Sequence, residues 1–257
     1  MSIADKTIVL TRRPEQSASI TDALTAKGAQ VICFPTIQLT APPDETVICR
    51  ALVELDSFDW IIFTSANAVE RFFTYIRPSN KEGHPRIAVV GPATLEALEA
   101  HSVQADLMAE NYQAEGLVAT FEDLESREQG RKAGRVLIPR ALEAREILPE
   151  ELLRLGYEVT VAPVYQTVQA FPGPAALSQL ERADGIIFTS PSTARNFTAL
   201  LEEEGRDALS YLSGRTVFSI GPITTDELEH LGISRSRIRQ ADEATGASLV
   251  DTITRSF

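Results

Sequence analysis

A ten-residue segment occurs twice in this chain of 257 residues, and this repeat restricts the possible folds more than any other feature. Residues 59–68 read DWIIFTSANA and residues 184–193 read DGIIFTSPST, 125 positions further along. In both copies a short apolar run ends at Phe-Thr-Ser, and apolar residues at helical spacing follow. The sequence therefore predicts a duplicated α/β unit in which a hydroxyl-bearing turn connects a strand to a helix.

Four further pairs of segments keep the same order in both halves: 8–12 with 136–140, 28–35 with 156–163, 90–94 with 220–224, and 117–118 with 249–250. The strand-like runs do not alternate with polar residues, which is typical of strands buried on both faces. After the two turns, core-facing helical stripes are predicted at Val69, Phe72, Phe73 and Ile76, and at Phe197, Leu200 and Leu201. The alternation of strands and helices predicts an α/β fold with two similar parallel-sheet domains.

Composition limits the class of protein and its partners. Hydrophobic residues make up 44% of the chain and charged residues 23%, as in soluble globular proteins, and no apolar run approaches the roughly 18 residues that span a bilayer. The first residues lack the layout of a signal peptide, so we expect a cytoplasmic protein without a membrane partner. The net charge of −12 argues against a nucleic-acid partner. Cys33 and Cys49 are too few for a disulfide framework and are interpreted as incidental.

The repeated polar residues all follow predicted strands. Ligands of open parallel sheets bind beyond the carboxyl ends of the strands, where helix N-termini direct free N–H groups outward. The candidate binding residues in the first half are Arg12, Arg13, Ser65, Ala66, Asn67, Gly91 and Thr94. Those in the second half are Arg140, Thr189, Ser190, Pro191, Ser192, Gly221 and Thr224, with Thr225 beside them.

Helix capping is the alternative interpretation of these turns. Ser, Thr and Asn are preferred N-caps, and proline suits the first helical position, as at Pro92 and Pro222. For any single residue, capping is favoured by roughly three to one. The functional case is collective, because two domains with three such turns each would line a cleft with neutral donors. Such a cleft suits a small ligand rich in carboxylates.

Other kinds of site find little support in the sequence. His84, His101 and His230 are scattered, so no metal site is expected. No phosphate-binding loop is present, and Pro92 removes an N–H that a phosphate would need. Without a G-x-S-x-G turn, Ser65 and Ser190 are interpreted as donors and not as nucleophiles.

Tyr165 breaks the symmetry of the duplication. It follows Pro163, which we expect to end a strand, and its counterpart in the other half is Ile37. A tyrosine in a linker is more often a packing residue with a solvated hydroxyl. A neutral phenol with a pKa of about 10 over a cleft could also donate a proton.

Taken together, two Phe-Thr-Ser turns, two Gly-Pro-x-Thr turns, the early Thr11-Arg12-Arg13 and the Pro163-Val164-Tyr165 segment resemble the uroporphyrinogen-III synthase family. The resemblance extends from Ile8 to Val250. It implies a monomeric cytosolic enzyme that uses neither cofactor nor metal and closes hydroxymethylbilane, a linear tetrapyrrole, while inverting its last ring.

The resemblance also implies a discontinuous first domain, residues 1–35 plus 169–257, and a second domain, residues 42–162. Two antiparallel linkers, 36–41 and 163–168, would join them and permit domain motion. By the same resemblance Tyr165 would protonate the departing hydroxyl, and the turn residues would hold substrate carboxylates. Arg12, Arg13 and Arg140 could pair with the substrate, or instead with an acid or a helix C-terminus. The alternatives are a non-enzymatic clamshell that binds an anionic small molecule and a nucleotide-dependent transferase.

Overall fold

The repeated apolar runs form inner strands of two sheets. In the computed structural model, β4 (Trp60–Phe63) and β9 (Gly185–Phe188) have every residue buried. Each lies between two parallel neighbours. A strand between parallel neighbours and covered by helices has no polar face, which explains the unbroken apolar runs. The prediction of an α/β fold with parallel sheets is confirmed.

The structure describes residues 3–76, 85–111, 113–127, 134–170 and 173–257. By compactness the chain divides into unit 1, Met1–Gln38 and Val168–Phe257, and unit 2, Leu39–Thr167. The predicted domain limits and linkers remain predictions. His84 lies outside the described residues. So do residues 128–133 of the charged run from Glu122 to Gly134, which the sequence predicts to be solvated loop or helix surface.

Unit 1 is built on a five-stranded parallel sheet in the order β11-β10-β9-β1-β2. Its other elements are β1 (Thr7–Leu10), α1 (Ala18–Ala26), β2 (Gln30–Cys33), α7 (Pro174–Leu180), α8 (Pro191–Glu203), α9 (Ala208–Ser213), β10 (Thr216–Ser219), α10 (Pro222–His230), β11 (Ile238–Gln240) and α11 (Gly246–Ser256).

Unit 2 contains most of a six-stranded sheet in the order β3-β8-β7-β4-β5-β6. Its other elements are β3 (Ile37–Thr40), α2 (Thr46–Val53), α3 (Ala66–Tyr75), β5 (Arg86–Val89), α4 (Pro92–Ala100), β6 (Leu107–Met108), α5 (Ala114–Arg127), β7 (Arg135–Ala141), α6 (Ile147–Arg154) and β8 (Glu158–Gln169). Apart from β3, the strand order is that of unit 1, with β6, β5, β4, β7 and β8 in the places of β11, β10, β9, β1 and β2. The duplication in the sequence is therefore a duplication of topology.

The helices after the repeated turns pack as their apolar stripes predict. Phe72 meets Phe63 edge to face at 5.3 Å, and Phe197 meets Phe188 at 5.5 Å. Burial of each phenylalanine contributes roughly 1.5–3 kcal/mol. The helical part of one expectation was wrong: α3 ends at Tyr75, so Ile76 lies just beyond the helix, in extended backbone. Ile76 nevertheless packs against the hydrophobic cluster that contains Val69 and Phe72.

The prediction that a strand ends at Pro163 was also wrong. Strand β8 continues through it, because the pairing with β7 contains a bulge: Arg140 lies opposite Pro163, and Ala141 lies opposite Tyr165. The extra residue, Val164, shifts the alternation of side chains, and bulges accept proline. Val164 and Tyr165 consequently enter the same hydrophobic cluster. No helix in the described ranges is long and apolar enough to cross a bilayer.

Candidate active site

In unit 1 the predicted polar residues gather at one edge of the sheet. Strands β1, β9 and β10 are neighbours and run parallel, so their carboxyl ends share an edge. The residues that directly follow these ends are Arg12 and Arg13 after β1, Thr189, Ser190, Pro191 and Ser192 after β9, and Gly221 with Thr224 after β10.

Unit 2 repeats this arrangement. Strands β8, β7, β4 and β5 are neighbours and parallel. At or just after the carboxyl ends of three of these strands lie Arg140 in β7, Ser65, Ala66 and Asn67 after β4, and Gly91 with Thr94 after β5. Tyr165 lies within β8, opposite Ala141, the last residue of β7.

Ser65 and Ser190 are N-caps, as the alternative interpretation holds. The Ser65 hydroxyl accepts the Ala68 N–H at 3.2 Å, and the Ser190 hydroxyl accepts the Thr193 N–H at 3.3 Å. Ser190 forms a full capping box, since its own N–H reaches the Thr193 hydroxyl at 3.3 Å. Each cap uses only a lone pair of the hydroxyl, so the cap itself leaves the hydrogen available for donation. At Ser190 this hydrogen already has an acceptor within the protein, Thr193 Oγ1 at 3.5 Å. At Ser190 a second hydroxyl, Ser192 Oγ, lies 3.0 Å away. Capping and ligand binding are therefore compatible at both turns.

The two glycine turns begin α4 and α10 without strained backbone. Gly91 and Gly221 have φ values of −167° and −179°, which any residue adopts. A Cβ on Gly221 would meet only the Cβ of Ala244, at an ordinary 3.5 Å. The fold itself therefore does not require glycine at position 221, whereas close approach of a ligand to the backbone would.

Thr94 and Thr224 occupy the same place in the two turns, at the third helical position. Both are buried, with 5% and 3% of their surface exposed. A neighbouring polar group was missed by sequence reasoning: Ser219 and Gln240 surround Thr225 below the Gly221 turn. The residues at these positions in the other copy are apolar, and this difference between the copies could have identified the group from the sequence.

The three arginines all have partners within the protein. Arg12 Nε donates to Gln16 Oε1 at 3.1 Å, and Arg13 lies 3.9 Å from the Glu15 carboxylate. Arg140 is 7% exposed. It donates to the carbonyl of Arg145 at 2.8 Å and forms an ion pair with Glu146. The Arg140 guanidinium therefore holds the loop between β7 and α6 in place. Contact of the three arginines with substrate remains a prediction.

Tyr165 has a packed ring and an unpaired hydroxyl. The ring belongs to the cluster that contains Phe63 and Phe72, and the residue is 7% exposed. Among the described residues the hydroxyl has no hydrogen-bond partner, and it is not one of the fully buried unpaired atoms, so it reaches solvent. Tyr211 differs, because its hydroxyl donates to the Leu180 carbonyl at 2.7 Å and burial raises its pKa to about 12. The ring of Tyr165 is thus held in place by packing, and among the described residues its hydroxyl hydrogen has no acceptor.

Of the two histidines in the described ranges, His230 is exposed at the end of α10 and His101 is packed. His101 stacks on Phe73 with ring centroids 4.5 Å apart, and its Nε2 lies 3.3 Å from Glu70. Within the part of the chain that the structure describes, no three His, Cys, Asp or Glu residues are grouped as metal ligands would be.

Comparison with known proteins decides the family. The family model described as uroporphyrinogen-III synthase HemD matches residues 18–251, which include both repeated turns and Tyr165. The chain belongs to the uroporphyrinogen-III synthase family. The uroporphyrinogen-III synthase of Synechococcus elongatus is 32% identical over 234 residues, covering 88% of this chain and 86% of its own. That of Chlorobaculum parvum is 27% identical and covers 89% and 90%.

Solved structures agree at the level of fold. The crystal structure of uroporphyrinogen-III synthetase from Helicobacter pylori superposes with a TM-score of 0.59 at 19% identity, over 98% of this chain and all of the other. A mutant uroporphyrinogen III synthase from Thermus thermophilus gives 0.50 at 13% identity, covering 98% of each chain.

Proposed function

We propose that this protein closes hydroxymethylbilane to uroporphyrinogen III, with loss of one water and inversion of ring D through a spiro intermediate. The match of the family model across residues 18–251 carries this proposal, since it spans both Phe-Thr-Ser turns and both glycine turns. The 32% identity to a synthase over 88% of the chain supports it.

The first chemical step is ionisation of the hydroxymethyl group. A proton reaches its oxygen, the C–O bond breaks, and water leaves while the pyrrole nitrogen lone pair forms an azafulvene cation. Tyr165 is the proposed proton donor, because its hydroxyl is free and its ring is held by the core. A general acid placed in this way assists departure of a poor leaving group.

Ring inversion follows from attack by the substituted carbon of ring D on that cation. The resulting spiro centre breaks its bond to the older bridging carbon, and the ring closes again through its other α-position. The proton lost when the last pyrrole becomes aromatic balances the one that Tyr165 supplied, so water is the only by-product.

The turns are proposed to bind substrate carboxylates. In unit 2 the donors are Ser65, Asn67 and Thr94, and in unit 1 they are Thr189, Ser190, Ser192 and Thr224, together with N–H groups at Ala66, Gly91 and Gly221. Pro191 supplies no N–H and shapes its turn. Arg12, Arg13 and Arg140 are proposed to add positive charge. Helix N-termini and hydroxyls bind anions without an overall positive charge, which suits a chain of net charge −12.

Much of the acceleration would come from folding a linear tetrapyrrole until its ends meet. Well-oriented intramolecular reactions gain up to roughly 7–11 kcal/mol. We propose that turns of both units hold the same substrate and that antiparallel linkers, 36–41 and 163–168, allow the required motion between domains 1–35 plus 169–257 and 42–162. From the family we also propose a cytoplasmic monomer.

The test generates hydroxymethylbilane in situ and separates the oxidised uroporphyrin isomers. The proposal predicts isomer III in excess, at a rate proportional to protein concentration. Formation of isomer I alone, the spontaneous product, would contradict it.

A further inference from the structure

A buried polar network lies beneath the Gly221 turn. Ser219 Oγ and Thr225 Oγ1 are 2.6 Å apart, and Thr225 Oγ1 donates to Gln240 Oε1 at 2.9 Å. Ser219 is fully buried and Thr225 is 2% exposed. The Thr225 hydroxyl has one hydrogen, which is shared between two acceptors, Gln240 Oε1 and the Gly221 carbonyl, 3.2 Å away. Because this hydrogen is used, Ser219 must donate to Thr225. The three side chains thus form one directed chain of hydrogen bonds.

The duplication provides an internal comparison for this network. Ser219 pairs with Gln240 across β10 and β11, and at the same place in unit 2 Val89 pairs with Met108 across β5 and β6. Thr225, four residues after Gly221, corresponds to Leu95, four residues after Gly91. The same fold therefore accepts apolar side chains at all three positions.

Stability alone does not explain the network. Exchanging all hydrogen-bonded partners for apolar groups of similar size is often neutral or stabilising, whereas removing one partner is costly. Unit 2 shows such an apolar solution, with Val89 fully buried. A role at the Gly221 turn is the remaining explanation.

The network acts on the backbone at the start of α10. The Gly221 carbonyl accepts the Thr225 N–H at 3.0 Å and lies 3.2 Å from the Thr225 hydroxyl. In unit 2 the Gly91 carbonyl instead accepts two N–H groups, from Thr94 and Leu95, each at 3.0 Å. Among the described residues the Thr224 N–H makes no such bond, and its hydroxyl, on a residue 3% exposed, has no partner either. In unit 1, therefore, the Thr225 side chain is within hydrogen-bond distance of the Gly221 carbonyl. In the same turn the N–H and the hydroxyl of Thr224 have no partner among the described residues.

We infer that Thr225, with Ser219 and Gln240, is a positioning residue that holds the Gly221 turn so that the Thr224 N–H and hydroxyl bind a substrate carboxylate. The inference rests on the proposed function. It assigns the two glycine turns different tasks: the turn of unit 1 fixes one carboxylate with preset donors, and the turn of unit 2, packed by apolar side chains, offers a looser contact.

The test transplants the residues of unit 2 into unit 1. The triple variant Ser219→Val, Thr225→Leu, Gln240→Met should unfold at a urea concentration equal to or above that of the wild type. Its KM for hydroxymethylbilane should rise about tenfold with a smaller change in kcat, as expected for loss of one or two hydrogen bonds to a charged group. Thr225→Ser, which keeps the hydroxyl, should retain most of the wild-type KM.

Two further variants keep the test decisive. Gln240→Met alone leaves the two hydroxyls paired with each other, so it should fold and raise KM several-fold. Thr252→Val removes another buried threonine of unit 1, whose hydroxyl donates to Ser248 O at 2.9 Å inside α11, and should leave KM unchanged. Wild-type KM in the triple variant and in Gln240→Met would overturn the inference. Failure of the proposed function is a separate result, read from the wild type alone as isomer I only.

Discussion

The carboxylate of Asp184 accepts a hydrogen bond from the backbone N–H of Thr7 over 2.8 Å. Its counterpart in the other copy of the repeat, Asp59, accepts the N–H of Arg135 at the same distance. In both units the aspartate before the inner strand therefore ties down the first residue of the neighbouring strand. The repeated Asp therefore has a structural role at the start of the strand. The repeated polar residues at the carboxyl end of the strand are the ones that we propose to bind substrate.

Asp184→Asn should destabilise the protein in a pH-dependent way. Burial opposes ionisation of Asp184, but the hydrogen bond from Thr7 and the ion pair with Lys6 at 3.0 Å outweigh it and lower its pKa. A lowered pKa stabilises the fold above the unfolded-state value of about 4, and this contribution is lost as the pH falls through the folded-state value. We expect the variant to lose about 1 kcal/mol at pH 7, measured by urea unfolding, and the difference to shrink towards pH 3. A difference independent of pH would contradict this explanation.

Two substitutions of Ser190, one neutral and one negatively charged, distinguish its role as a helix cap from its proposed role in binding a substrate carboxylate. Ser190→Ala should lose about 0.5–2 kcal/mol of unfolding free energy, because the capping box is broken. Ser190→Asp should stay close to the wild type in stability, since Asp caps helices equally well and favours the helix dipole. Its negative charge should nonetheless repel the substrate and raise KM more than the alanine does. Equal KM values for the two variants would mean that this turn does not face a carboxylate.

Gly221→Ala should cost activity and little stability. The added methyl group meets only Ala244 at 3.5 Å, but it occupies the space through which a ligand would approach the backbone. KM should rise while the urea midpoint stays near the wild-type value. The matched control is Gly185→Ala, whose Cβ would lie 2.7 Å from the Phe218 ring and should cost about 1–3 kcal/mol. An unchanged KM in Gly221→Ala would remove this turn from the site.

Tyr165→Phe tests the proposed proton donor. The ring keeps its place in the cluster of Phe63 and Phe72, and the lost hydroxyl has no partner among the described residues, so stability should hold. We expect kcat to fall about 100-fold, as is common when a general acid is removed. Phe72→Leu provides the packing control, with reduced stability and near-normal kcat for folded protein. A parallel fall in melting temperature and activity of Tyr165→Phe would assign this tyrosine to packing.

Much of the fold could be predicted because the signal was local and repeated. The apolar runs at β4 and β9 and the helical stripes after them need only periodicity, and Ser65 and Ser190 stand where N-caps belong. The path of β8 could not be predicted, since the bulge opposite Arg140 arises from pairing with β7.

The same reason limits what sequence reasoning found at the site. The sequence predicts a positive charge after a strand at Arg140, but its ion pair with Glu146 depends on how the following loop folds back. Ser219 and Gln240 are 21 positions apart and meet only through the register of β10 and β11.

The measurement that tests the central claim most directly is the isomer composition of uroporphyrin formed from hydroxymethylbilane by the purified wild-type protein, compared with a protein-free reaction. The account predicts that isomer III predominates and that its share grows with protein concentration. Isomer I as the sole product at every protein concentration would contradict it.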